Sequence, residues 1–412
     1  MKQIYDAIIL GGGAAGIFAG LTAKAANPNV RVLLLERSAV LLSKVKISGG
    51  GRCNVTHACY DPKQLISNYP RGHKELLGPF TRFQPRDTIE WFNTRGVELK
   101  TEADGRMFPV TDSSDTIIEC LLREAKKVNL EIRLRQRFNQ IAKVDDHFQL
   151  TSGEGHELAC RYLALATGSH PEGHALAKSF GHTIVAPVPS LFTFNIPTSS
   201  LHDLAGISVP EVTLKFLDLK FEQTGPLLIT HWGFSGPAAL KLSAWAAREL
   251  HQHHYNLPLS VDWIPHFKKE KAMQDLVKAR RDYPHQTVHN KNLFQLPKNL
   301  WRRLAAEIPE DKKFSEMSND SLHKLCGKLK ADLYQIDGKT THKEEFVTCG
   351  GVALPEVNFK TMQSRLCPGL FFAGEILDID AVTGGFNFQN AWTTGWLTGQ
   401  AIDSLLRASA NV

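Results

Sequence analysis

Gly11-Gly12-Gly13-Ala14-Ala15-Gly16 stands between the apolar run Tyr5-Asp6-Ala7-Ile8-Ile9-Leu10 and the small-residue segment Ala19 to Ala26. Strand, glycine turn and helix in that order form a dinucleotide-binding fingerprint. Gly11 permits the tight turn off the strand, and Gly13 lets backbone N–H groups approach a pyrophosphate. Gly16 lets the helix lie close on the sheet, its positive end towards the phosphates, with Ala14 and Ala15 in the same cradle. A second strand, Arg31-Val32-Leu33-Leu34-Leu35, ends in Glu36, 20 residues beyond Gly16. A carboxylate there accepts hydrogen bonds from ribose hydroxyls, and Arg37 joins the same contact set. The reading is an adenine dinucleotide.

A distant segment decides which one. Leu370-Phe371-Phe372-Ala373-Gly374-Glu375 reads as a buried strand ending in Gly and an acid, followed by Asp378, Asp380 and Gly384-Gly385-Phe386. A helix is expected from Asn387 to about Ala401. A nicotinamide site needs only the first fingerprint, whereas FAD also needs a segment for its ribityl chain and ring. Glu375 suits a ribityl hydroxyl. The helix after Gly384-Gly385 aims its positive end at the flavin edge that gains negative charge on reduction. The pairing reads as FAD.

A third segment, Lys44-Val45-Lys46-Ile47-Ser48-Gly49-Gly50-Gly51-Arg52-Cys53-Asn54, carries a family resemblance. Its loop Ser48 to Asn54 resembles the Ser-Gly-Gly-Gly-Arg-Cys-Asn loop of the BaiN/RdsA family of flavoproteins, also called the aminoacetone-oxidase family. Thr230-His231-Trp232-Gly233-Phe234-Ser235-Gly236-Pro237 is similar to a second family run, and Pro368 to Glu375 with Gly384 to Gln389 to a third. The resemblance covers essentially the whole chain. It departs at Ala166-Thr167-Gly168-Ser169, which has one Gly where relatives have two, and at Asn390, where many relatives place Trp. The resemblance implies a flavin-dependent reductase or oxidase. RdsA-like members reduce a uridine of large-subunit ribosomal RNA, BaiN-like members reduce conjugated bile-acid enones, and others oxidise small amines. It also implies an electrostatic role for Lys44 near the flavin or its phosphates.

The 412 residues suffice for two or three domains with a sizeable core. The chain starts straight into a strand, and no apolar run approaches the ~20 residues that cross a bilayer, so a cytoplasmic protein without membrane contact is expected. Seven cysteines, an odd number with no CxxC pair, argue against a disulfide framework, a zinc finger or a dithiol relay. His251, His253 and His254 lack Cys or acid at ligand spacing, so no metal site is expected.

The expected architecture is α/β. A discontinuous Rossmann-like FAD-binding domain (1–186 and 348–412) takes in the strand Tyr162 to Ala166 and its end, Thr167-Gly168. It is interrupted by a mainly-β domain (187–263 and 333–347) carrying a small helical subdomain (264–332). Strands are expected around Leu191–Phe194, Val212–Phe216 and Leu227–Thr230, one helix over Ala238 to His251, and further helices over Lys271–Arg281 and Leu300–Glu307. Val261 to Lys330 holds fifteen Lys or Arg against nine Asp or Glu, a net of +6 that equals the formal charge of the entire chain. Arg280-Arg281, Lys291, Lys298, Arg302-Arg303, Lys312-Lys313, Lys324, Lys328 and Lys330 make it either a polyanion-binding surface, with ribosomal RNA as partner, or a solvated helical face.

For chemistry, Cys53 follows the glycine loop expected beside the flavin, either as a proton donor or as a small residue packed beneath the ring. Arg52 either holds a phosphate or substrate oxygen or locks the loop against a carboxylate. His231 is an acid or base near neutral pH, or a buried His bonded to backbone. Asn387 and Gln389 either read a substrate amide or cap the helix. The cofactor set is therefore Gly11, Gly13, Ala14, Ala15, Gly16, Glu36, Arg37, Lys44, Ser48, Gly50, Gly51, Arg52, Cys53, Thr167, Gly168, Gly374, Glu375, Gly385, Phe386 and Asn387. No second GxGxxG unit is present, which leaves NAD(P)H as a transient electron donor without its own domain, or the substrate as the source. The basic insertion favours reduction of a uridine in ribosomal RNA to dihydrouridine, with hydride to C6 and an acid such as Cys53 protonating C5 of an extruded base. The alternatives are an oxidase or enone reductase of small molecules, and a non-catalytic redox-sensing flavoprotein.

Overall fold

The computed structural model describes residues 4–153, 155–340 and 347–410. Part of the last stretch of the expected mainly-β domain, residues 341–346, therefore lies outside the described residues. The chain divides into two compact units, Met1–Val188 with Val347–Val412, and Pro189–Phe346.

In the first unit, strand β1 (Ile4–Leu10) leads through helix α1 (Ala14–Ala26) to strand β2 (Val32–Leu35). β1 pairs in parallel with β2 on one side and with Glu157–Leu165 on the other. Glu131–Arg133 and Leu370–Phe372 extend the parallel set outwards. The continuous apolar runs become strands buried on both faces, as a parallel sheet between helices requires. Helix α1 is buried from Ala15 through Lys24, so it is covered all round rather than on one stripe. Its cover is the C-terminal helix Phe386–Ala410, which continues past the expected Ala401 because Ile402 and Leu406 keep an apolar face in the core.

In the second unit the described strands form a seven-stranded sheet with antiparallel pairing, built on Ser208–Phe216, Glu222–Thr230 and Asn256–Asp262. The helix expected over Ala238 to His251 is two, Pro237–Trp245 and Ala247–Gln252, because Ala246 leaves helical geometry (φ −97°, ψ 20°). Helices Lys269–Asp282, Lys298–Leu304 and Asn319–Lys330 follow. Their apolar residues Leu276, Trp301 and Leu325 share one core with Val261 and Trp263 of the sheet end, so strands and helices bury a common surface.

Candidate functional site

The fingerprint loop is shaped by close backbone approach. A Cβ on Gly11 would lie 2.3 Å from the Ala166 carbonyl oxygen, and one on Gly16 would lie 2.0 Å from that of Gly11. Both are closed to any side chain. Gly13 is different: a Cβ there would meet nothing within 4 Å. That open space, in front of the first turn of α1, is a cradle in which a pyrophosphate fits. Glu36 stands at the end of β2, as expected, and its two carboxylate oxygens accept from the Gly12 and Ser38 amides, each at 2.7 Å. The carboxylate is thus oriented by backbone and keeps lone pairs for ribose hydroxyls. Arg37 is exposed and directed towards Glu172 (4.0 Å).

The C-terminal segment meets this loop. Gly374 is held at φ 76°, where a Cβ would come within 2.8 Å of the Ala15 Cβ, and its amide donates to Thr394 Oγ1 (2.9 Å). Glu375 pairs with Lys44, so the cation from the helix Ser43–Gly51 and the acid expected at the ribityl chain are neighbours. Gly168, at φ 60°, lies next to the Glu375 carboxylate; a Cβ there would be 3.9 Å from Oε2. Thr167 precedes it with a buried hydroxyl that has no partner among the described residues.

The loop Ser48 to Asn54 departs from helical geometry at Ser48 and then runs through three left-handed glycines, Gly49, Gly50 and Gly51. Gly50 and Gly51 face open space. Cys53 (φ 59°) closes the loop, its amide donating to the Ser48 carbonyl at 3.0 Å. Its side chain is wholly buried in the core that contains Val55, Phe92 and Trp392, and burial pushes the thiol up to about 12. That burial favours the packed reading, since an inaccessible thiol of that pKa is a poor proton donor to a substrate. Arg52 donates to Glu102 Oε1 (2.7 Å), lies 3.5 Å from Asp112, and covers the Phe108 ring at 4.0 Å. Those contacts lock the loop.

The glycine pair before the last helix is similarly built in. A Cβ on Gly385 would lie 2.5 Å from the Thr56 carbonyl. The Asn54 carboxamide, oriented to satisfy both neighbours, accepts from the Gly385 amide (3.0 Å) and donates to the Thr56 carbonyl (3.1 Å). Asn387 exchanges two hydrogen bonds with Ala381 (2.9 and 3.1 Å), fixing the loop that precedes the helix. Gln389 is buried. Its oxygen accepts from Thr56 and Thr88, and its nitrogen donates to Thr393. The substrate-reading role does not hold for it, because both its oxygen and its nitrogen are engaged inside the core. Three residues of this region are not singled out by the sequence patterns. His57 stacks on Phe386 (4.6 Å, 20°), Tyr69 donates to the Phe386 carbonyl (2.6 Å), and Asn54 has its own bonding role beyond membership of a motif. The Cys-Asn-x-Thr-His continuation of the loop is the one sequence signal that points to His57.

His231 lies in the second unit, on the exposed turn between Glu222–Thr230 and Gly233–Ser235. The buried alternative is thereby corrected: a two-residue hairpin tip leaves both His231 and Trp232 in solvent. His251, His253 and His254 are exposed around the end of Ala247–Gln252. Among the described residues no helix is long and apolar enough to cross a membrane.

Residues 5–401 match the family described as HI0933-like protein Rossmann domain. The chain belongs to this family. It is 32% identical over 410 residues to the ribosomal RNA dihydrouridine synthase of Escherichia coli K12, covering 96% of this chain and 97% of that protein. It is 27% identical over 405 residues to the 3-dehydro-bile acid Δ(4,6)-reductase of Clostridium scindens, covering 95% and 98%. Among solved structures, a 3-ketosteroid Δ1-dehydrogenase from Sterolibacterium denitrificans superimposes with a TM-score of 0.53 at 11% identity, covering 98% of this chain and 100% of that one. That likeness bears on the fold alone. The α/β expectation stands: this is a Rossmann-type FAD-binding fold, and the chain is an oxidoreductase of the flavoprotein class. The open cradle at Gly13, the oriented Glu36 carboxylate and the Thr167 hydroxyl fit that cofactor.

Proposed function

We propose that this protein reduces the C5=C6 bond of a uridine in ribosomal RNA to dihydrouridine, using FAD, in the cytoplasm. The observation that carries the reading is the end-to-end match to a ribosomal RNA dihydrouridine synthase. When bound and reduced, FAD would supply the hydride to C6, a proton from solvent would complete C5, and a two-electron donor of the NAD(P)H class would reduce the flavin again. The protein's own part is positional. Gly11 to Gly16 and Glu36 hold the dinucleotide end, and Gly374, Glu375 and Lys44 hold the middle. The Asn54–Gly385 and Asn387–Ala381 hydrogen bonds keep the start of the last helix in one conformation, where its positive end would stabilise the negative charge of a reduced flavin ring. Arg52 and Cys53 preserve the shape of the glycine loop. The target base must leave its stack to reach the ring.

The match to a bile-acid reductase favours a second reading, reduction of a small conjugated enone. Mass spectrometry of ribosomal RNA from a deletion strain separates the two. The first reading expects one dihydrouridine of the parent strain to be left as uridine, two hydrogens lighter, in the deletion strain, and a plasmid copy to restore it. Unchanged ribosomal RNA, together with enone reduction by the purified protein, would put the second reading in its place.

A further inference from the structure

The +6 segment 261–330 does not present its charge evenly. On the two longer helices most cations are cancelled locally, among them Lys271 by Asp275 (2.6 Å), Lys278 by Asp282 (3.4 Å) and Lys324 by Asp320 (2.9 Å), while Lys269 and Arg280 have no carboxylate partner among the described residues. Lys330 is held by Asp262 (2.5 Å) and by the Phe267 carbonyl (2.6 Å). Arg303, a candidate for phosphate contact on charge alone, instead clamps Asp203 with both nitrogens (2.9 and 2.5 Å). It ties the helix Lys298–Leu304 to the segment that leads into the strand Ser208–Phe216.

Away from those helices, four cations share a different setting. Lys291, Lys298, Arg302 and Lys313 have no carboxylate partner among the described residues, and all but the half-buried Lys291 are exposed. They share one piece of framework, the turn 283–291. Lys298 and Arg302 lie four residues apart on a single helix, and Arg302 Nη2 donates to Asn290 Oδ1 (2.9 Å) on the turn. The buried Trp301 anchors that helix there by donating to the Val288 carbonyl (2.8 Å). Lys291 sits over the Tyr283 ring at 4.0 Å. Lys313 is bridged in antiparallel fashion to Thr287. Glu316, three residues beyond Lys313, is occupied by the Lys313 amide (3.3 Å) and faces Lys312 (4.0 Å).

We propose that the face built on the turn 283–291, with Lys291, Lys298, Arg302 and Lys313, is where this protein grips an RNA phosphate backbone. The inference rests on the ribosomal RNA reading and adds the surface. Unpaired cations held by a rigid turn bind phosphates without first breaking an ion pair. The paired cations of the long helices would have to give up a partner, so they contribute little. An asparagine hydrogen-bonded to the arginine and an aromatic ring under the lysine restrict both side chains before binding, which lowers the entropy lost on contact.

The test compares two variants that remove the same charge. K298Q/R302Q/K313Q neutralises the face, and K271Q/K278Q/K324Q neutralises the paired helices. Each is titrated with a large-subunit ribosomal RNA transcript over a range of salt, with flavin absorbance as the control for folding. The proposal expects the first variant to bind roughly tenfold or more weakly, with a salt slope shallower by about 2, since each phosphate contact contributes about 0.7–0.9. The second variant should track the wild type. Equal losses in both variants would show a net-charge effect and overturn the proposal. A wild type that binds tightly while the first variant is unimpaired would overturn the face but spare the ribosomal RNA reading. A wild type with no salt-dependent RNA binding would overturn both.

Discussion

At the scale of single residues, the site is decided by where a side chain has room and where it does not. Gly13 is the one fingerprint glycine with open space in front of it. Gly13→Leu should therefore fold and lose its cofactor, because leucine fills the cradle without colliding with the backbone. The ratio of flavin to protein absorbance checks this, and a full flavin spectrum would show that the pyrophosphate lies elsewhere. Cys53 makes the opposite case. Its thiol has a folded-state pKa of about 12 against 9.0 when free. Above pH 9 the unfolded chain loses this proton while the folded chain keeps it, so stability falls as pH rises from 9 towards 12, by up to about 1.4 kcal/mol per pH unit. Cys53→Ala should retain flavin and activity and show a shallower alkaline decline. Urea unfolding at several pH values reads the difference, and loss of turnover in a well-folded Cys53→Ala protein would restore the proton-donor role.

At the scale of elements, the pair α1 and Phe386–Ala410 holds the first unit together. Gly395 and Gly399 lie inside a long helix, where glycine is worth about 1 kcal/mol less than alanine. They are there because a Cβ on Gly395 would come within 2.5 Å of the Ala15 carbonyl, and one on Gly399 within 2.5 Å of that of Ala19. Backbone cannot step aside as a side-chain end can. Gly395→Ala should thus destabilise, against helix propensity, by about 1–3 kcal/mol. The denaturation midpoint measures it; a more stable variant would mean that the two helices are not in this contact. The glycines are visible in the sequence, yet their purpose is not, since Ala15 and Ala19 lie near the opposite end of the chain.

At the scale of the whole molecule, the flavin unit is assembled from both ends of the chain. A chain ending at Gly385 keeps the entire N-terminal fingerprint but loses the helix that covers α1. We expect it to retain no flavin, as judged by the spectrum of the purified protein, whereas a fingerprint that worked alone would remain yellow. The three cofactor segments are legible because each is a local pattern: an apolar strand, a glycine turn and a helix start read the same wherever they lie in a chain. The ion pairs Lys271–Asp275 and Lys324–Asp320 are equally open to reading from their spacing of four residues on helices.

Arg303 is not, because Asp203 is brought to it only by the fold. His57 and Tyr69 escape for the same reason: each is defined by contact with Phe386, far along the chain. By itself the sequence determined the cofactor class, the order of the elements and the total charge, all of which depend on composition or on neighbours along the chain. The tertiary structure alone decided that the Cys53 thiol is buried, that Arg52 pairs with Glu102, and that Lys291, Lys298, Arg302 and Lys313 gather around one turn without a carboxylate partner. Burial and ion pairing are set by what crosses the side chain in space, and no local period records that.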